Sequence, residues 1–237
     1  QVLEKLEKQG IRALNEDTDL SKSTVVIRAH GITPKRRQEL EASGAEISDA
    51  TCPRVKRVQS IIEENANEGY STIIVGDEGH AEVTGLLGYT DGKGYVVSSP
   101  DEVSKLPDME KICIVAQTTQ DMNTFALIAE KLKHRYKNHK VFDTICSSTS
   151  RRQEEVISLS KEVDAMIVVG GRGSANTNRL VEISEKKGVP AFLVETEHEL
   201  DLKRLAYYGV IGVTAGASTP NWLLERVVDK VQNYKGE

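Results

Sequence analysis

The stretch DATCPRVKRVQ at residues 49–59 is answered by DTICSSTSRRQ at 143–153, so Cys52 and Cys146 stand 94 residues apart in matching surroundings. The same offset relates TIIVGDEGH (72–80) to MIVVGGRGS (166–174). It aligns the apolar runs, Gly76 with Gly170 and Gly79 with Gly173, and sets His80 opposite Ser174. Two matches at one offset mark an internal repeat, which constrains the fold before any other signal: the chain is built from like units.

What those units contain follows from periodicity. Short β-rich runs, TVVIR (24–28), TIIVG (72–76), YVV (95–97), ICIVA (112–116), KVFD (140–143), MIVVG (166–170), AFLV (191–194) and VIGVT (210–214), alternate with helical stretches. Several are continuously apolar, the pattern of strands covered on both faces, so the sheets are expected to be parallel. The helix over residues 34–43 has Thr33 as N-cap, Pro34 at its first position and Gly44 past its end. Other apolar stripes are Val55, Val58 and Ile62; Phe125, Ile128 and Leu132; Val156, Leu159 and Val163; and Leu224, Val227 and Val231. Alternating strand and helix predicts an α/β protein of three pseudo-repeated units with small parallel sheets around a central site. The expected divisions are 1–51, 52–145 and 146–237, the first unit being cut short. QVLEKLEKQG, with Leu3 and Leu6 at helical spacing and Gly10 as its stop, reads as the tail of a helix.

Composition excludes some functions. With 38% hydrophobic and 28% charged residues the chain is an ordinary globular one. A net charge of −5 gives no footing for nucleic acid or an anionic membrane, and Lys35-Arg36-Arg37 reads as a solvated helix face. No apolar run approaches the roughly 20 residues of a membrane span. Three cysteines without a C-x-x-C argue against a disulfide framework and for a reduced, cytoplasmic setting.

In parallel α/β sheets ligands bind where strands end in loops and helix N-termini. These loops carry His30; His80 and Glu82; Thr118 and Thr119; Ser174, Asn176 and Asn178; and Ser218. Hydroxyls, amides, Gly-loop N–H groups and two histidines suit a phosphate or diphosphate. No Walker-type loop is present, and GGRGSA (170–175) is only loosely like G-x-G-x-x-G, so a dinucleotide is poorly supported. Glu82, two residues after His80, is either a surface carboxylate at a helix start or a proton donor facing the ligand. Cys52 and Cys146 each begin a helix, where free N–H groups stabilise a thiolate; equivalent positions suit soft-metal ligation, iron–sulfur clusters included. Cys113, inside ICIVA, belongs to the core.

The motifs RAHG, DATCP, GHAEV-x-G, QTT, DTIC-x3-S-RRQ, GS-x-NTNRL and TAGAS-x-P, in this order over residues 1–233, closely resemble 4-hydroxy-3-methylbut-2-enyl diphosphate reductase. The resemblance implies three α/β units around a 4Fe-4S cluster held by one cysteine per unit. Cys52 and Cys146 match two of these; the third, with a further substrate histidine, is expected upstream of Gln1. It implies reductive dehydroxylation of the allylic diphosphate to isopentenyl and dimethylallyl diphosphate, with a ferredoxin or flavodoxin as electron donor. Glu82 matches the proton source, Thr118 the threonine that bonds the substrate hydroxyl, and His30, His80, Ser174, Asn176 and Ser218 the diphosphate cage; His80 is counted with the catalytic group as well. The chain departs from the pattern at Ala175, where a serine is usual, and in SSTSRR after Cys146. Two other readings stand beside it: a non-catalytic phosphate-ester binder with structural cysteines, and a fragment inactive alone.

Overall fold

The computed structural model describes residues 2–14 and 19–234. The opening helix, α1, spans Val2–Lys8, with Gly10 at φ +85° beyond its end; Gln1 and the side chain of Leu3 lie outside what is described. The strands are β1 (Thr24–Ile27), β2 (Glu46–Asp49), β3 (Ser71–Val75), β4 (Gly94–Val97), β5 (Ile112–Ala116), β6 (His139–Val141), β7 (Ala165–Val169), β8 (Ala191–Val194) and β9 (Ile211–Ala215). Between and after them run α2 (Pro34–Ala42), α3 (Pro53–Asn67), α4 (Ala81–Leu87), α5 (Met122–Arg135), α6 (Ser147–Leu159), α7 (Ala175–Lys186), α8 (Leu202–Leu205) and α9 (Asn221–Gln232). Among the described residues no helix is long and apolar enough to cross a membrane.

Three separate sheets form, all parallel: β1-β2, β4-β3-β5-β6 and β8-β7-β9. This is the expected α/β architecture. The repeat is written into element starts: α3 and α6 begin at 53 and 147, β3 and β7 at 71 and 165, α4 and α7 at 81 and 175, each pair 94 apart. Register repeats as well. Thr72 lies opposite Gly94 on one side and Cys113 on the other, and Met166 lies between Ala191 and Gly212.

The apolar strands are buried on both faces because helices cover both. In the second sheet Ile73, Ile112 and Ile114 pack on α5 through Phe125, Ile128 and Leu132. Their alternate neighbours Ile74, Cys113 and Val115 pack on Val55, Val58 and Ile62 of α3 and on Val83 and Leu86 of α4. The third sheet follows suit, with Ile167 and Val169 against Leu223 and Val227 of α9, and Met166 and Val168 against Val156, Leu180 and Ile183. Each such side chain contributes about 1.5–3 kcal/mol by leaving water.

Helix starts follow local chemistry. Thr33 caps α2, its hydroxyl accepting from the Arg36 N–H at 3.2 Å, and Gly44 follows with φ +78°. Three details differ from the sequence reading. Residues EISD form β2, a short strand with alternating exposure whose polar composition gives no strand signal. The α6 stripe ends at Leu159; Val163 lies beyond the Ser160 cap and packs from a loop. In α9 Leu223 is buried with Val227, while Leu224 and Val231 are only partly covered.

Candidate active site

Two loop-to-helix transitions, 94 residues apart, are built alike. After β3 the chain turns through residues 77–80, where the His80 N–H reaches the Asp77 carbonyl at 3.2 Å and Gly79 takes φ +77°. His80 then caps α4, its Nδ1 accepting from the Glu82 N–H at 3.2 Å. After β7 the Ser174 N–H bonds the Gly171 carbonyl, and Ser174 caps α7, its Oγ accepting from the Thr177 N–H at 3.3 Å. The repeat also sets Glu82 opposite Asn176, and both are buried, at 2% and 5% exposure.

Glu82 is therefore no surface carboxylate. Its Oε1 accepts from the Thr118 N–H at 2.7 Å and its Oε2 from the Thr118 hydroxyl at 2.8 Å. Burial pushes its pKa up, against the pull of those two bonds. A carboxyl whose hold on its proton is strengthened by burial, joined to a hydroxyl, is suited to proton transfer.

His30 and His80 meet edge to face, ring centroids 5.2 Å apart. Burial lowers the pKa of both. For His30 the neighbouring His80 and Arg28 add to the effect; for His80 Asp77 opposes it and Arg28 adds to it. His30 Nδ1 and both amide atoms of Asn176 are buried without a hydrogen-bond partner. Buried polar atoms left unpaired cost about 1–3 kcal/mol each. In these strand-end loops, unpaired polar atoms suit the pairing of a polar ligand.

The two cysteines are free thiols, part-exposed at the N-termini of α3 and α6. Each is tied to a site loop by its own amide. The Cys52 N–H bonds the Ala29 carbonyl at 3.0 Å, beside His30; the Cys146 N–H bonds the Thr118 carbonyl at 2.9 Å. Cys146 Sγ lies 3.0 Å from the Ser148 hydroxyl. Burial would raise its pKa, but that hydrogen bond, the Ser148 and Thr149 amides and the Arg54 charge outweigh it and the net shift is downward. Part-exposed thiols at two helix N-termini, that of Cys146 with its pKa lowered, suit soft-metal ligation. Cys113 does not: it is fully buried in β5 and its pKa is pushed up to about 12 by burial. Among the described residues no group of three or more His, Cys, Asp and Glu gathers as a cage for one metal ion.

Ser218 is exposed, in the loop from β9 to α9. That loop packs on α7, since a Cβ at Gly216 would collide with Thr177 Oγ1, and on the end of β7, where Thr219 Oγ1 donates to the Val169 carbonyl at 2.9 Å. Ala175 is the first residue of α7, so its N–H is one of the unpaired first-turn donors. Thr119 accepts from Gln117 Nε2 at 3.0 Å, and Asn178 donates to the Arg172 carbonyl at 2.9 Å; both serve their loops. Three residues outside the predicted set complete the frame. Gln117, fully buried, accepts from the Asp77 N–H at 2.8 Å, and Arg179 Nη2 donates to Asp77 Oδ1 at 2.9 Å. Gln117 and Arg179 stand inside QTT and NTNRL, so those motifs held the signal.

A family model described as LytB protein matches residues 1–232. The chain belongs to the LytB family. Among curated LytB relatives, the 4-hydroxy-3-methylbut-2-enyl diphosphate reductase of Caldanaerobacter subterraneus subsp. tengcongensis is 43% identical over 241 residues, covering 100% of this chain and 83% of the relative. That of Geobacter sulfurreducens is 39% identical, covering 99% and 83%. The solved E-1-hydroxy-2-methyl-but-2-enyl-4-diphosphate reductase of Plasmodium falciparum superposes with a TM-score of 0.90 at 33% identity, over 98% of this chain and 74% of that one. A second solved structure, (E)-4-hydroxy-3-methyl-but-2-enyl diphosphate reductase, gives 0.66 at 38% identity, over 98% and 83%.

Proposed function

We propose that this LytB-family chain reduces 4-hydroxy-3-methylbut-2-enyl diphosphate to isopentenyl and dimethylallyl diphosphate. The observation that carries the reading is the buried Glu82 carboxyl held by both the amide and the hydroxyl of Thr118. Removing an allylic hydroxyl takes two electrons and two protons: the C–O bond breaks, one proton leaves with the oxygen as water, and the other joins the allylic carbon. Glu82 is the proton source. Protonated, it donates to Thr118 Oγ1, and Thr118 passes its own proton to the departing oxygen. His30, His80, Ser174, Asn176 and Ser218 hold the diphosphate, satisfying the orphaned atoms of His30 and Asn176. His80 has a second part, fixing the start of α4 and hence Glu82.

The electrons call for a redox group, and the free thiols of Cys52 and Cys146 suit a 4Fe-4S cluster, to which the family resemblance adds a third cysteine that is not Cys113. When bound, such a cluster supplies the two electrons and a Lewis-acidic iron. A ferredoxin or flavodoxin would deliver the electrons in a reduced, cytoplasmic compartment. The units divide at 1–51, 52–145 and 146–237, so that each cysteine opens a unit. A phosphate-ester binder with structural cysteines has no use for a buried, proton-holding carboxyl joined to a hydroxyl.

The test is Glu82→Gln, assayed with a chemical reductant at matched iron content. Turnover is expected to fall by about 10²–10⁴-fold, with inorganic pyrophosphate binding and iron content preserved. Retention of more than about a tenth of the activity, outside even the weak end of that range, removes Glu82 from the chemistry.

A further inference from the structure

We propose that Arg179 and Asp77 form a latch that registers the third unit against the second and so sets the width of the ligand site between them. The proposal rests on the diphosphate-site reading above. The two residues are 102 positions apart and bond at 2.9 Å. Among the described residues theirs is the only ion pair joining those two units.

Each partner is fixed to one wall of the site. Asp77 opens the turn that ends in His80, whose N–H rests on the Asp77 carbonyl. Its own N–H is gripped by the buried Gln117, which also donates to Thr119 beside Thr118. Arg179 lies three residues after Asn176 on α7, and residues at that spacing share a helix face. Its side chain is 12% exposed, and Glu182 Oε2 takes its other guanidinium nitrogen, Nη1, at 2.8 Å. With Nη1 on Glu182 and Nη2 on Asp77, the guanidinium is held at a fixed orientation, and its buried Nε has no partner. The planar fork cannot follow Asp77 if the units slide. Beside the Gln153–Gln120 and Cys146–Thr118 bonds, which also join the two units, Arg179 with Asp77 is, among the described residues, the side-chain pair that ties the turn of His80 to the helix of Asn176. Asp77 and Arg179 are positioning residues.

The experiment compares wild type, Asp77→Asn, Arg179→Gln, Arg179→Lys and the Asp77→Asn/Arg179→Gln double variant, all cluster-loaded. Titration calorimetry with inorganic pyrophosphate is run beside steady-state kinetics. Each neutral single variant is expected to bind pyrophosphate at least about fivefold more weakly, and the double variant no more weakly than the worse single, as coupled residues do. KM should rise in step while kcat at saturation stays within about twofold, a split that generalised loosening does not give. Arg179→Lys, which keeps the charge, should recover part of the loss. If Arg179→Gln fails to fold, Asp77→Asn, at a half-buried turn residue, carries the measurement. Binding equal to wild type in the variants, or additive losses in the double variant, overturns the latch alone. A wild-type protein that binds no pyrophosphate overturns the underlying site reading, and the latch with it.

Discussion

Replacing Thr118 by valine isolates one bond of the Glu82–Thr118 pair. Valine keeps the shape of threonine and the backbone N–H, so the 2.7 Å bond to Glu82 Oε1 survives and only the 2.8 Å bond from Oγ1 to Oε2 is lost. Both residues are buried, at 2% and 6% exposure, so water does not replace the missing donor. A hydrogen bond to a charged group is worth about 1.5–3 kcal/mol, a neutral one about 0.5–1.5. The cost should therefore depend on whether Glu82 is ionised. Its folded pKa lies above the ordinary 4.5 because of burial. Folded protein thus keeps a proton that unfolded chain has released, and stability falls as pH rises from the unfolded value through the folded one. Losing the hydroxyl raises the folded pKa further, so the variant's deficit grows over that same window. Urea unfolding followed by circular dichroism should give a deficit of about 0.5–1.5 kcal/mol in acid, where Glu82 is protonated in both states, and a larger one, rising toward about 1.5–3 kcal/mol, at the alkaline pH where the folded carboxyl has ionised. In a Glu82→Gln background the pH dependence should vanish. An equal deficit at both pH values, or a larger one in acid, would refute an ionisable Glu82–Thr118 pair.

Cys113→Ala should fold with a loss of about 1–2 kcal/mol and unchanged iron per chain, whereas Cys52→Ala and Cys146→Ala should each abolish iron binding; loss of iron in the Cys113 variant, measured by metal analysis, would show the assignment wrong. Gly76→Ala should cost about 1–3 kcal/mol by overpacking, because its Cβ would stand 2.9 Å from both Gln117 Oε1 and Val83 Cγ2. A thermal midpoint within error of wild type would mean the Gln117 brace yields freely.

The fold was legible because its signals are local. Continuous apolar runs announced two-sided burial, Thr33-Pro34 announced a helix start, and the 94-residue offset announced repetition. β2 was not legible, because EISD forms a strand only by pairing with β1, each residue two dozen positions or fewer from its partner. The site was legible as a set of residue types in loops after strands, and the pairing of His30 with His80 follows from that placement. The state of Glu82 was not. Its position two residues into a helix suits an exposed carboxylate equally well, and what buries it includes Thr118, 36 residues on. Asp77 was harder still: it has no local pattern that singles it out, and although Arg179 stands inside NTNRL, the pair's meaning lies in a contact between units.

The bonds from the Cys52 amide to Ala29 and from the Cys146 amide to Thr118 carry a mechanical consequence. A pull on Sγ of Cys146 reaches the Thr118 peptide through one residue and one hydrogen bond, with no flexible segment between to absorb it. Cys52 has the same short linkage to the loop that presents His30. Under the proposed function, a group seated on the two sulfurs would therefore also trim the loops of His30 and Thr118, and assembly of a reducing centre and shaping of the pocket would be a single adjustment.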